Sequence, residues 1–226
     1  MQSRATWWLP PGGRKTNLLG KVFRSFGIST AMKKIFALLL LSITTHCFAQ
    51  DSLKTFNHSR NNITTTGMTV LGSWAIANIG VGAAGWANSK GGQNKYFYQM
   101  TTIWGAANLG AAILGYTGAK NNAGKTLTAA ESLKAQQKIE RIFLINGGLD
   151  LAYIGTGIIL KNRGDNHNSA QLKGYGSSLI IQGAFLLLFD GTMYGTHRAN
   201  GNKLRRFLEK NPIGFNGKSI GISLNI

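Results

Sequence analysis

Acidic side chains are scarce in this chain: 7 Asp and Glu stand against 25 Lys and Arg in 226 residues. Charged residues of both signs make up only 14%, well below the roughly 25% of an ordinary soluble domain. A single Cys excludes a disulfide framework and any Cys-rich zinc site. The length allows one ordinary domain or a small multi-pass membrane protein. A mean hydropathy close to zero conceals two populations, because apolar stretches are diluted by basic ends and connections.

Residues 1–31 carry five bases, no acids and no periodicity, including Trp7-Trp8-Leu9-Pro10-Pro11-Gly12-Gly13. They read as a disordered extension, or as sequence upstream of the true start. At Met32 the pattern changes. Lys33-Lys34 form a basic leader, residues 35–43 an apolar core, and Cys47-Phe48-Ala49 a small-residue cleavage site before Gln50. That three-part layout is a secretory signal peptide over residues 32–49. Its apolar core is about half the ~20 residues a spanning helix requires. Cleavage after Ala49 would remove the only Cys and leave 18 bases against 7 acids, a net charge of +11.

Charge spacing organises the rest. No charged residue occurs between Arg60 and Lys90, or between Lys95 and Lys120. Between Arg141 and Lys161 only Asp150 intervenes, and between Lys173 and Arg198 only Asp190. Four such windows, each flanked by bases, predict an all-α polytopic membrane protein with four transmembrane helices in two helical hairpins. The spans fall at residues 68–86, 97–119, 142–160 and 175–196, after an extramembrane segment at 50–67 and before a basic tail at 198–226. Trp86, Tyr96, Tyr98, Tyr116 and Tyr175 lie near their ends, where aromatic rings suit the headgroup region. A soluble bundle would show a polar stripe on each helix, but Leu179-Ile180-Ile181 and Leu186-Leu187-Leu188-Phe189 are apolar around the circumference. A β-barrel would need alternating strands of about ten residues, and only the last eight residues, from Ser219, alternate.

The connections carry their own signals. Thr128-Ala129-Ala130-Glu131 has capping-box spacing and starts the third helix outside the membrane. Ser89-Lys90-Gly91-Gly92-Gln93-Asn94-Lys95 suits a tight helical hairpin. Orientation is contested within the sequence. A cleaved signal leaves residues 87–96 and 161–173, with five bases, in the cytoplasm and 13 bases outside. The positive-inside rule prefers the opposite arrangement.

The first two windows repeat a motif. Trp74-Ala75-Ile76-Ala77-Asn78-Ile79-Gly80 matches Trp104-Gly105-Ala106-Ala107-Asn108-Leu109-Gly110, with each Trp one turn from its Asn on one helix face. The last two windows hold Asn146 and Asp150 one turn apart, and Gln182 and Asp190 two turns apart. Asn78, Asn108, Asn146, Asp150, Gln182 and Asp190 thus form a candidate polar site at membrane depth. An ionised Asp at a helix centre costs about 3 kcal/mol on insertion scales, so both acids should face the bundle interior. Two readings stand side by side. The amides suit interhelical hydrogen-bond glue, and the acids suit either glue or a proton or cation relay. No Lys or Arg lies inside a window to pair with them.

The stretches Asn146-Gly147-Gly148-Leu149-Asp150-Leu151-Ala152-Tyr153 and Gln182-Gly183-Ala184-Phe185-Leu186-Leu187-Leu188-Phe189-Asp190, with Lys173-Gly174-Tyr175-Gly176 before the fourth window, resemble an uncharacterised family of small four-helix bacterial membrane proteins. The resemblance extends from about Ile139 to His197. It implies the architecture and attaches no activity, cofactor or site residue.

Small residues four apart, at Gly80 and Ala84, Ala106 and Gly110, Ala107, Ala111 and Gly115, Gly148 and Ala152, and Gly191 and Gly195, form seams for close helix approach. They serve either one bundle or a homo-oligomer. Ala119-Lys120-Asn121-Asn122-Ala123-Gly124-Lys125-Thr126 imitates a phosphate-binding loop but lacks the preceding strand such a loop needs. His58, His167 and His197 fall outside the windows without metal-ligand spacing. No nucleophile motif is present. The bases at Arg198, Lys203, Arg205, Arg206 and Lys210 make either a solvated end or a contact with anionic lipid. Bases that flank membrane windows argue against nucleic acid. The expectation is a non-enzymatic structural, accessory or interaction component of the bacterial inner membrane, with no cofactor. Its partners would be the bilayer and either its own copies or another membrane protein. The alternative is a small oligomeric transporter or channel using Asp150 and Asp190.

Overall fold

The computed structural model describes residues 30–210, 213–215 and 220–222, with side-chain surroundings for Lys34 and residues 51–210. Nearly all of the basic extension at 1–31, and most of the alternating end from Ser219, lie outside the described residues. The elements run α1 (Thr30–Asn88), α2 (Gly92–Asn122), α3 (Ala129–Asn166), α4 (Ala170–Lys210), β1 (Ile213–Phe215) and β2 (Ile220–Ile222). The chain divides into two units, Met1–Ala49 and Gln50–Ile226. The first, in which the expected signal falls, is helical backbone from Thr30.

In the second unit the punctuation follows local chemistry. Between α1 and α2 the turn passes through Gly91 (φ 105°) and Gly92 (φ 68°), values that side chains with a Cβ rarely adopt. Thr128 caps α3 in a complete capping box. Its backbone N–H and hydroxyl donate to Glu131 Oε2 at 2.9 and 2.8 Å, and the Glu131 N–H donates to Thr128 Oγ1 at 3.3 Å. Glu131 is exposed, and its carboxyl is held below its ordinary range chiefly by the Thr128 backbone N–H. Within the basic segment expected at 198–226, α4 continues to Lys210. It does so because His197, Asn200, Gly201 and Leu204 fall on one buried face at helical spacing. Beyond it, β1 and β2 pair antiparallel, Ile213 opposite Ile222 and Phe215 opposite Ile220.

The helices pack as two hairpins, α1 with α2 and α3 with α4, and α4 also packs along α2. Glycines let the backbones meet. A Cβ on Gly157 would stand 2.8 Å from the Gly176 carbonyl oxygen, and a Cβ on Gly176 would stand 2.6 Å from that of Gly157. Gly105 is placed likewise against Ala75 and Ile79 of α1. These are not the seams expected from spacing. A Cβ at Gly80, Gly110, Gly148, Gly191 or Gly195 would meet nothing within 4 Å, so most of those small-residue pairs lie on the outer faces of the chain. Four-residue spacing identifies a face of a helix but not which face its neighbour occupies.

The distribution of polarity is inverted relative to a soluble protein. Asn78, Thr101, Asn108, Asp150, Ser178, Gln182 and Asp190 are buried. Leu114 and Leu188, both 74% exposed, and Ile76, Val81, Ile103, Leu144, Leu151 and Ile159 face outward. Contiguous exposed apolar surface of this kind marks a membrane or partner contact. Three helical stretches, Asp51–Asn88, Ala129–Asn166 and Ala170–Lys210, are long and apolar enough to cross a bilayer, as in a multi-pass membrane protein. The expected span at 97–119 in α2 is not among them, because Thr, Gly, Gln and Asn dilute its apolar content. At 38 to 41 residues, the three stretches run about 57 to 62 Å, nearly twice a hydrocarbon core of about 30 Å. The charge-poor windows sit toward the α1–α2 and α3–α4 turns. The surplus therefore gathers at the opposite end, in residues 51–67, 129–141 and 197–210.

Gly157→Ala should lower stability by about 1–3 kcal/mol through overpacking. Gly155→Ala, where a Cβ meets nothing within 4 Å, should be neutral or gain up to about 1 kcal/mol of helix propensity. Thermal melting of both variants in detergent checks the contrast.

Candidate functional site

Asp150 and Asp190 are brought together. Asp150 lies on α3 and Asp190 on α4, where Gly183 packs against the Asp150 carbonyl oxygen and Ile154. The Asp190 carboxyl meets the side chains of Asp150 and Asn146. Both acids are almost fully buried, at 2% and 4% exposure, and neither forms an ion pair among the described residues.

The pair lines a cavity of about 770 Å³ shared by all four helices. Its inner wall carries Met68 and Leu71 of α1 and Leu186 and Phe189 of α4, and its flanks are α2 and α3. Those flanking helices make no extended contact with each other. They meet at Trp104 and Tyr153, whose rings stand edge to face with centroids 4.9 Å apart, and both rings line the cavity. From there a wedge rises between α2 and α3 to a rim that includes Arg60, Lys125, Glu131 and Lys138. Two residues of the cavity lining each hold one fully buried polar atom without a hydrogen-bond partner: Asp150 Oδ2 and Asn108 Nδ2. An unpaired buried polar atom costs about 1–3 kcal/mol, so hydrogen-bond capacity is left unspent in the side chains around the acid pair.

The six candidate polar residues therefore separate into two groups. Asn108, Asn146, Asp150 and Asp190 share the cavity. Asn78 and Gln182 bond to each other instead, Gln182 Nε2 donating to Asn78 Oδ1 at 2.6 Å. The Trp74 indole donates to Gln182 Oε1 at 3.2 Å, and its ring stacks on Phe185. The two copies of the Trp–Asn motif thus have different fates. The first ties α1 to α4, and the second stands at the cavity with its amide nitrogen unpaired.

A second polar layer, unmarked by hydropathy, fills the end where the surplus helix lies. Arg60 Nη1 donates to Asn57 Oδ1 at 2.7 Å, and Asn57 Nδ2 donates to Ser132 Oγ at 2.8 Å. Gln136 Nε2 donates to the His197 carbonyl at 2.6 Å and to Glu140 Oε1 at 3.2 Å. Asn200 Nδ2 donates to Gln136 Oε1 at 3.1 Å. Buried Glu140 pairs with Arg198 at 3.1 Å and with Arg205 at 3.4 Å. The available sequence signal was Glu140 standing alone among Lys134, Lys138 and Arg141, one turn after Gln136. His197 is fully buried against Phe143, whereas His58 is exposed. No group of His, Cys, Asp and Glu side chains suited to a metal ion occurs among the described residues.

With this geometry in view, the sequence matches the profile of a family of unknown function, DUF6992, over residues 70–191. The matched region is more than half of the chain and contains the acid pair and the Trp104–Tyr153 contact. The chain belongs to that family. No curated protein and no solved structure matches it.

Gln136→Leu removes the donor to His197 and the acceptor for Asn200, and should cost about 1–3 kcal/mol by leaving buried groups unpaired. Gln137→Leu, at an exposed position, should change stability by less than about 0.5 kcal/mol. Melting temperatures in one detergent decide between a packed polar layer and a solvated one.

Proposed function

We propose that this membrane protein is a small, non-enzymatic transporter or channel that passes protons or cations through the cavity at Asp150 and Asp190. The observation that carries the proposal is the cavity itself: two acids in contact, with an unpaired carboxylate oxygen and an unpaired amide nitrogen. An accessory protein held together by these residues would bury them in a packed interior. Intramembrane acids are costly to keep and characteristically lie along ion or proton paths. Chemically, the proximity of the two side chains allows a proton to leave one carboxyl oxygen and join the other, with Asn146 beside them in the cavity lining.

In this reading four helices cross the bilayer. α2 is 31 residues long, about 46 Å, and it lies against α1 along its length, with Ile103, Ile113 and Leu114 facing outward. A hairpin partner at that depth crosses with its neighbour. The membrane proposed is the bacterial inner membrane, with residues 32–49 as the delivery signal.

A structural or interaction role, in a homo-oligomer or with another membrane protein, is favoured by a separate observation. The small-residue pairs at Gly80 and Ala84 and at Gly191 and Gly195 face outward with nothing against their glycines, and such seams suit a neighbouring helix.

Reconstituted into vesicles loaded with pyranine, the wild type should dissipate an imposed pH or potassium gradient. Asp190→Asn and the double variant with Asp150→Asn should slow this by about tenfold or more while melting like the wild type. Unchanged gradient decay in correctly folded variants overturns transport through the acids.

A further inference from the structure

We propose that Arg60 holds the phosphate of an anionic phospholipid whose acyl chains lie in the cleft between α2 and α3. Arg60 is only 6% exposed and lines the cavity, yet no carboxylate among the described residues lies within ion-pair distance of it. A buried cation without a counter-charge is costly. Asn57 accepts from one guanidinium N–H, and a guanidinium carries five donors in a fork suited to phosphate oxygens. The acid on the rim, Glu131, is engaged in capping α3. Lys125 and Lys138 stand on the same rim and add positive charge where a headgroup would sit.

The form of the cleft selects a lipid rather than a soluble anion. α2 and α3 part above Trp104 and Tyr153, and the walls between them carry Leu114, Ile142 and Leu149, all exposed. An anion that enters sideways along such walls brings an apolar body with it. Arg60 stands 11 residues before Leu71, which also lines the cavity, a rise of about 16 Å. Thr64, one turn past Arg60, meets His197 at 3.4 Å. His197 stands seven residues past Asp190 on α4, a rise of about 10 Å, so the headgroup site lies toward the helix ends and away from the acids. Lipid binding at the rim does not depend on proton transfer at Asp150 and Asp190, and its test reads no flux.

The full chain in a neutral detergent is examined by native mass spectrometry with dioleoyl phosphatidylglycerol, with dioleoyl phosphatidylcholine and, separately, with inorganic phosphate. The wild type should retain the anionic lipid about tenfold better than the zwitterionic one. Arg60→Gln should remove most of that preference, and Lys90→Gln, at the opposite end, should leave it intact. Leu114→Trp, which narrows the cleft and keeps the charge, should lower retention of the lipid but not of phosphate. If Arg60→Gln does not fold, the headgroup comparison on the wild type and the Leu114→Trp result decide. Equal retention of the two lipids overturns the proposal, as does undiminished preference in folded Arg60→Gln. Phosphate bound as tightly as the lipid, with Leu114→Trp silent, replaces it with a site for a soluble anion.

Discussion

The close approach of α3 to α4 is the constraint on which the rest depends. Gly157 and Gly176 put carbonyl oxygens where side chains would otherwise stand, and Gly183 continues the contact beside Asp150. A helix pressed this closely against one neighbour is withdrawn from the other. α3 accordingly meets α2 through the rings of Tyr153 and Trp104 and parts from it above them. The same approach that joins Asp150 to Asp190 therefore opens the space they face. Packing and cavity are two consequences of one set of glycines.

Polarity is handled differently along the bundle. Near the acids, hydrogen-bond capacity is left unspent at Asp150 Oδ2 and Asn108 Nδ2. At the Asn78–Gln182 contact and in the layer around Gln136 and Glu140, donors and acceptors are matched except at the buried His197 Nδ1. Satisfied networks rigidify a structure, while unsatisfied groups mark where a ligand, ion or proton can enter. Arg60 lies at the boundary, bonded to Asn57 yet with no carboxylate within ion-pair distance among the described residues.

Three long helices with surplus length at one end also give the basic residues a place. Residues 51–67, 129–141 and 197–210 pack side by side through Asn57–Ser132 and Asn200–Gln136 bonds. Glu140 draws Arg205 inward and pairs with the exposed Arg198, while Lys134, Lys138, Lys203 and Arg206 are exposed without an ion pair among the described residues. Part of the charge seen in composition is thus structural, and the remainder is left to solvent or to headgroups.

The existence and order of the helices, the Thr128 cap, the Gly91–Gly92 turn and the polar residues within apolar windows were legible in the sequence. They depend on local chemistry: backbone freedom at glycine, capping geometry, and the cost of charge in hydrocarbon. Partnership was not legible. The two Trp–Asn motifs are alike in sequence, and only the placement of α4 gives Asn78 a Gln182 while leaving Asn108 unpaired. Small-residue spacing pointed to Gly80 and Gly191, whereas the closest approaches use Gly157 and Gly176, because a period along one helix carries no information about the angle at which the next one lies. Hydropathy passed over Arg60, Glu140 and His197, which lie outside the apolar windows and are buried only once three helix ends assemble. Sequence determined what each helix could tolerate, and tertiary packing decided which polar groups found one another and which were left facing the cavity.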